Sequence, residues 1–201
     1  MLRRLITLCA LLAGAAQAAT PPAPAATPGR ATAIVAGGCV WCSEADFEKL
    51  PGVIEVESGY TAGKTANPSY EQVSAGGTGH TEAVRVIYDP QKVSYPQLVD
   101  YFWRHIDPTV KDRQFCDVGT QYRSGIYWQN EAEHKVAAAS RDALLRSGKF
   151  KTIYTELAPA ATFWLAETYH QDYYKKNPIR YNYYRKSCGR NARIEEVWSE
   201  K

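Results

Sequence analysis

The apolar residues change period several times after residue 32. Ala33-Ile34-Val35-Ala36 is a continuous, partly β-branched apolar run closed by Gly37-Gly38, which predicts a buried strand. Val40 to Leu50 carries Trp41, Ala45, Phe47 and Leu50 and stops at Pro51-Gly52, which predicts a short helix. Val53 to Tyr60 partly alternates, as does Glu82 to Tyr88, and each predicts a half-buried strand. The glycine-rich stretch between them, Thr61 to Gly79 with Pro68, predicts a long loop. Leu98, Phe102 and Ile106, flanked by Val99 and Trp103, fall on one helical face. Gly125 to Trp128 predicts a strand, Glu131 to Ser147 a helix closed by Gly148, and Ile153 to Leu157 another strand. Phe163 to Lys176 predicts a last helix, stopped by Asn177-Pro178. The order is βαββαβαβα with no internal repeat. Interleaving of this kind predicts an α+β or α/β two-layer sandwich, a mixed sheet with flanking helices.

The first residues follow a different pattern. Arg3-Arg4 precede an apolar run from Leu5 to Ala16 and a small-residue site, Ala16-Gln17-Ala18. This is the layout of a secretory signal, which places residues 1–18 outside the fold and the protein in the periplasm or secreted. The run is short for a membrane span. Leu8 before Cys9 argues against lipidation. Residues 19–32, rich in Ala, Pro and Thr, read as an extended linker, leaving 33–201 as one folded domain. The formal charge of +3 falls to +1 without Arg3 and Arg4, so neither nucleic acid nor an anionic membrane is expected as a partner. The tail with Lys175-Lys176, Arg185-Lys186, Tyr181, Tyr183 and Tyr184 reads as solvated and tyrosine-packed. Nothing in the chain calls for an obligate partner, so a monomer is expected.

The cysteines change the picture. Five are too few for a disulfide-built scaffold of this length, and Cys9 leaves with the signal. Cys39 sits where a predicted strand meets a predicted helix. There, unpaired N–H groups and the helix dipole favour thiolate, the nucleophilic form, although a small buried core cysteine is the plain alternative. Cys39-x-x-Cys42 admits a thioredoxin-like dithiol, half a zinc site, or a nucleophile with a bystander. Zinc lacks ligands, since no second Cys pair or closely spaced His pair accompanies His80, His105, His134 and His170. Tyr70, Glu82, Asp117 and Tyr122 are polar residues that could serve Cys39, and periodicity does not bring them together.

Five segments carry more. Gly37-Gly38-Cys39-Val40-Trp41, Asn67-Pro68-Ser69-Tyr70-Glu71-Gln72-Val73, Gly79-His80-Thr81-Glu82-Ala83-Val84, Asp117 to Ser124 and Tyr169-His170-Gln171-Asp172-Tyr173 occur in this order. Together they resemble the peptide methionine sulfoxide reductase A family from about Ile34 to Trp198. The resemblance implies reduction of methionine S-sulfoxide, free or in proteins. Cys39 is then the attacking thiol, Glu82 the acid that protonates the departing oxygen, and Tyr70 and Tyr122 the hydroxyls that hold that oxygen. Asp117 would order the network, and Val40 and Trp41 would wall the methyl group. His80 and His170 read as structural.

A sulfenic acid on Cys39 would be resolved by a second thiol, and the disulfide reduced by an external thioredoxin-like dithiol, with no bound cofactor and no metal. The chain departs from the family at Val40, usually Phe, and at Cys42, often Gly. The resolving thiol is expected to be Cys188, in a Gly-containing tail, with Cys42 the alternative and Cys116 a buried bystander. No second domain for the R epimer is expected. Two other readings stay open: a periplasmic thiol–disulfide oxidoreductase using Cys39 and Cys42, and a non-catalytic secreted domain with structural disulfides.

Overall fold

The computed structural model describes residues 29–199. The expected signal, and the linker up to residue 28, lie outside the described residues. The first strand, β1 (Ala31–Gly37), starts inside the stretch read as linker. Then follow α1 (Val40–Phe47), β2 (Val53–Thr61), α2 (Tyr70–Ser74), β3 (Thr81–Tyr88), α3 (Tyr95–Arg104), the short β4 (Arg113–Gln114) and β5 (Asp117–Val118), and a 3₁₀ turn (Thr120–Tyr122). The chain continues through β6 (Ser124–Trp128), α4 (Glu131–Arg146), β7 (Glu156–Pro159), β8 (Trp164–Leu165), α5 (Tyr173–Lys176), α6 (Pro178–Ser187) and α7 (Arg190–Trp198).

Six strands form one sheet in the order β7-β6-β1-β3-β2-β8. All neighbours are antiparallel except β6 and β7, so the sheet is mixed. β1 is central, and Ala33, Ile34, Val35 and Ala36 are all at most 6% exposed. That explains a continuous apolar run where a half-buried strand would alternate. Ala33 and Val35 face Phe47 of α1, Phe102, Trp103 and Ile106 on and after α3, and Ala137 of α4. Ile34 and Ala36 face the opposite way, under Ala158, Ala160 and Phe163. The result is the expected two-layer sandwich, with α1, α3 and α4 on one face. Full burial of a side chain such as Phe102 contributes about 1.5–3 kcal/mol. No helix among the described residues is long and apolar enough to cross a membrane.

Three expectations fail. The stretch from Phe163 is not helical until Tyr173; Trp164 and Leu165 instead pair with Tyr60 and Gly59 as an edge strand. Gly59 permits the approach, since a Cβ there would lie 2.4 Å from both Phe163 and the Trp164 carbonyl. Cross-strand pairing outweighs local helical pattern here. The long loop contains α2, started by a capping box in which Ser69 and Gln72 satisfy each other's backbone N–H groups. The tail is two helices, tyrosine-packed as expected but only partly solvated. Tyr181 is 5% and Arg190 2% exposed, packed behind α1.

Arg190 is the tail's anchor. Its guanidinium donates to the carbonyls of Gly37 at 3.1 Å and His105 at 2.9 Å, faces Asp46 at 3.5 Å, and lies over the Phe115 ring. Arg190→Met should therefore destabilise the fold by about 3 kcal/mol, because it leaves two carbonyls without their donor and the buried Asp46 carboxylate with one guanidinium partner in place of two. A urea midpoint within error of the parent would refute the anchoring role.

Candidate active site

β1 delivers the chain to Cys39 through two glycines. Gly38 has φ +86°, and a Cβ there would sit 2.6 Å from Gln114, so only glycine fits. Cys39 is the N-cap of α1 and its side chain makes no capping hydrogen bond. The sulfur is thus left for other partners, and it is 7% exposed.

Glu82 comes from the start of β3, beside β1. Its Oε2 accepts the Val40 N–H at 3.0 Å, which sets the carboxyl next to the sulfur. Burial pushes the Glu82 pKa up to about 8, against the lowering effect of that hydrogen bond. The group is therefore a carboxylic acid at neutral pH and can donate a proton.

Tyr70 is the first residue of α2. Its N–H donates to Glu167 Oε1 at 2.7 Å, and Tyr60 donates to the other Glu167 oxygen at 2.9 Å. Tyr122 closes the 3₁₀ turn, which Thr81 ties to β3 by donating to the Gln121 and Arg123 carbonyls, each at 3.1 Å. Burial raises the pKa of both phenols, and Glu82, Cys39 and Asp117 all act on each, so the five groups share one site. Both residues are half-buried.

Trp41 is half-buried too. Its ring stacks on Tyr173 at 3.7 Å, and its Nε1–H donates to His170 Nδ1 at 2.8 Å. His170 is thus a bracket for the indole, and His80 a bracket for the Thr65 carbonyl at 2.7 Å. Val40 is 2% exposed, so of the two expected wall residues Trp41 is the one open to solvent. Two surface hollows of about 680 and 370 Å³ lie elsewhere, the smaller with Cys188 in its wall.

The cysteines depart from expectation in two ways. Cys116 and Cys188 are joined in a disulfide, with Cα atoms 5.0 Å apart, and Cys116 is exposed rather than a buried bystander. Asp117 lies against them, but with both sulfurs bonded this trio offers no thiolate pair to a metal. Cys39 and Cys42 are free and buried, and hydrogen-bonded to each other. The helix N-terminus does not win at Cys39. Burial, the Cys42 hydrogen bond and the Glu82 and Asp117 charges raise its pKa well above that of an ordinary thiol. Cys42 is the member of the pair held low, at about 7, by the Cys39 hydrogen bond and by Arg190 and Arg185, against its own burial.

Two residues escaped the sequence reading. Glu167 holds Tyr70, and Tyr184 of α6 donates to Asp117 Oδ2 at 2.6 Å. Only the match of Tyr169 to Tyr173 flags the neighbourhood of the first. Nothing in the pattern marks the second.

The chain is similar to several known proteins. A family model described as peptide methionine sulfoxide reductase matches residues 31–201. Peptide methionine sulfoxide reductase MsrA 2 of Caulobacter vibrioides is 48% identical over 197 residues, covering 98% of this chain and 99% of its own length. Peptide methionine sulfoxide reductase MsrA/MsrB of Vibrio cholerae is 50% identical over 167 residues, covering 83% of this chain; the chain spans 44% of that protein's length. Among solved structures, reduced Mxr1 of Saccharomyces cerevisiae superposes with a TM-score of 0.71 at 32% identity, over 76% of this chain and 88% of that one.

The Glu82 environment predicts a linkage. Its folded pKa of about 8 lies above the ordinary 4.5, so its contribution is fully present below pH 4.5 and is lost as pH rises towards 8. Glu82→Gln should gain stability relative to the parent across that interval and not below it, read by urea unfolding at several pH values. A constant offset would disprove the buried acid.

Proposed function

The chain belongs to the peptide methionine sulfoxide reductase family, and from that premise we propose that it reduces the S epimer of methionine sulfoxide, free and in exported proteins, as a periplasmic or secreted repair enzyme. The observation that carries the reading is the neutral Glu82 carboxyl clamped beside Cys39 through the Val40 N–H at 3.0 Å. A sulfoxide is neutral but strongly dipolar, and its oxygen leaves only when protonated. Tyr70 and Tyr122 supply hydroxyls for that oxygen, and the Trp41 ring supplies an apolar wall for the methyl. Polar groups on one side and an aromatic on the other read the chirality at sulfur.

The Cys39 thiolate attacks the sulfoxide sulfur while Glu82 protonates the oxygen. The hydroxyl then passes to the Cys39 sulfur as the S–O bond and the newly formed S–S bond to methionine both break, so methionine leaves reduced and Cys39 becomes a sulfenic acid. The Cys188 thiol then condenses with it, forming a Cys39–Cys188 disulfide and releasing water. Cys116 attacks the Cys188 sulfur, which frees Cys39 and yields the bond now present between Cys116 and Cys188. A thioredoxin-like dithiol reduces that exposed disulfide. The direct contact between Cys42 and Cys39 favours a second reading, in which Cys42 resolves the sulfenic acid. Neither route uses a bound cofactor, and a monomer suffices.

With dithiothreitol as reductant, the protein should turn over dabsyl-methionine S-sulfoxide and leave the R epimer untouched, and Cys39→Ser should abolish turnover. The sulfoxide step should lose about tenfold per pH unit above pH 8 as Glu82 ionises. Absence of S-epimer turnover would sink the reading. Cys188→Ser should complete one turnover yet stall with thioredoxin; sustained turnover in that variant, lost in Cys42→Ser, would move the resolving role to Cys42.

A further inference from the structure

Tyr184 belongs to neither the expected substrate hydroxyls nor the core. It projects from α6 with its ring edge-on to Trp41, centroids 5.7 Å apart. Its O–H donates to Asp117 Oδ2 at 2.6 Å, and the hydroxyl lies near enough to Cys39 for a charge on that sulfur to act on it. Its placement is fixed twice over. Cys188 follows one turn later on the same face, its N–H bonded to the Tyr184 carbonyl at 2.9 Å. The Cys116–Cys188 disulfide then ties that turn to the residue preceding Asp117. With Cys116 and Cys188 joined, the hydroxyl and its carboxylate are cross-linked as a pair; when the cycle opens that bond, their own hydrogen bond still holds them together.

A phenol carries one proton, and here two groups compete for it. While Cys39 is a thiol, its sulfur needs no donor and the Tyr184 proton serves Asp117. Once Cys39 has given its proton to the Cys42 sulfur beside it, the negative charge on Cys39 becomes the stronger claim. We propose that Tyr184 is a further catalytic residue of this site, a hydroxyl shared by Asp117 and Cys39 that stabilises the Cys39 thiolate by turning its proton onto the sulfur. The balance is simple. Cys39–SH and Cys42–S⁻ become Cys39–S⁻ and Cys42–SH, and the Tyr184 O–H exchanges one acceptor for another without leaving its oxygen. The proposal rests on the reductase reading, since it concerns the same nucleophile.

The groups facing this triad come from every element around it. Cys42 stands on α1, Glu82 on β3, Tyr70 on α2 and Tyr122 on the 3₁₀ turn, with Arg190 on α7 acting on Asp117. None of the two remaining phenols bridges Asp117, so removing the Tyr184 hydroxyl leaves that role unfilled.

The experiment is the pH dependence of iodoacetamide labelling at Cys39, followed by peptide mass spectrometry, alongside single turnover of dabsyl-methionine S-sulfoxide without reductant. Tyr184→Phe should move the Cys39 labelling midpoint up by about one pH unit, a tenfold loss of thiolate at neutral pH. Its single-turnover rate should fall about tenfold below the midpoint and converge with the parent above it. Asp117→Asn, which takes away the competing charge, should move the midpoint down. An unshifted midpoint in Tyr184→Phe, or a rate lowered equally at every pH, would overturn the proposal. So would an upward shift in Asp117→Asn. A parent protein inactive on the S epimer would overturn the reductase reading itself, whereas an active parent with an unshifted Tyr184→Phe would overturn the Tyr184 role alone.

Discussion

One hydrogen bond organises this site: the Val40 N–H held by the Glu82 carboxyl at 3.0 Å. Two needs meet there. The first turn of α1 has N–H groups with no partner inside the helix, and a buried carboxyl has oxygens that must be satisfied. Each meets the other's requirement, and the acid is thereby fixed one residue from the nucleophile. A buried carboxylate without a cation would cost several kcal/mol, so the group keeps its proton. The geometry is owned by the sheet. Glu82 pairs with Tyr60 on one side, and two residues on, Val84 pairs with Val35 of β1, the strand that leads through Gly37-Gly38 to Cys39. The acid and the thiol are positioned by adjacent strands rather than by loops, which holds them to within the tolerance that proton transfer demands.

The C-terminal helices complete what the sheet begins. Asp46, 3% exposed in the last turn of the active-site helix, gathers Arg185 at 2.9 Å and Arg190 at 3.5 Å. Those guanidinium groups bring α6 and the start of α7 against α1, and their charge reaches Cys42. The same helix that supplies Arg185 supplies Tyr184 and Cys188. Packing of the tail thus completes the site, and a buried ion network fixes where the tail lies.

Much of this was legible in the chain because burial on both faces of β1 left an unbroken apolar run, and because Gly37-Gly38 punctuates it before Cys39. α4 was legible from its Ala- and Leu-rich composition and the closing Gly148, and β3 was legible as a strand although it is buried at nearly every position rather than on one face. What was not legible depends on contacts distant in sequence. The edge strand at Trp164 forms because Gly59 leaves space for it. The Cys116–Cys188 bond spans 72 residues, and nothing near either cysteine encodes the other. Tyr184 looked like one tyrosine among several in a basic tail. The capping box at Ser69 and Gln72 was present in the sequence but hidden within a glycine-rich stretch.

The protonation state of Cys39 shows why magnitudes matter. A charge at a helix N-terminus gains about 0.3–1 kcal/mol, less than one pH unit, and α1 has only 8 residues. Full burial of an ionisable group shifts its pKa by up to about 3–5 units the other way. Desolvation prevails, and the nucleophile is stored as a thiol. The same force keeps Glu82 protonated, so burial prepares both partners at once. The chemistry suits such a site. A thiol and a sulfoxide become a sulfenic acid and a sulfide with no net gain or loss of protons, so every charge that appears in the cleft is internal and brief. A buried, formally neutral cleft can then run the reaction without importing an ion, and the hydroxyls around it need only follow a proton that never leaves.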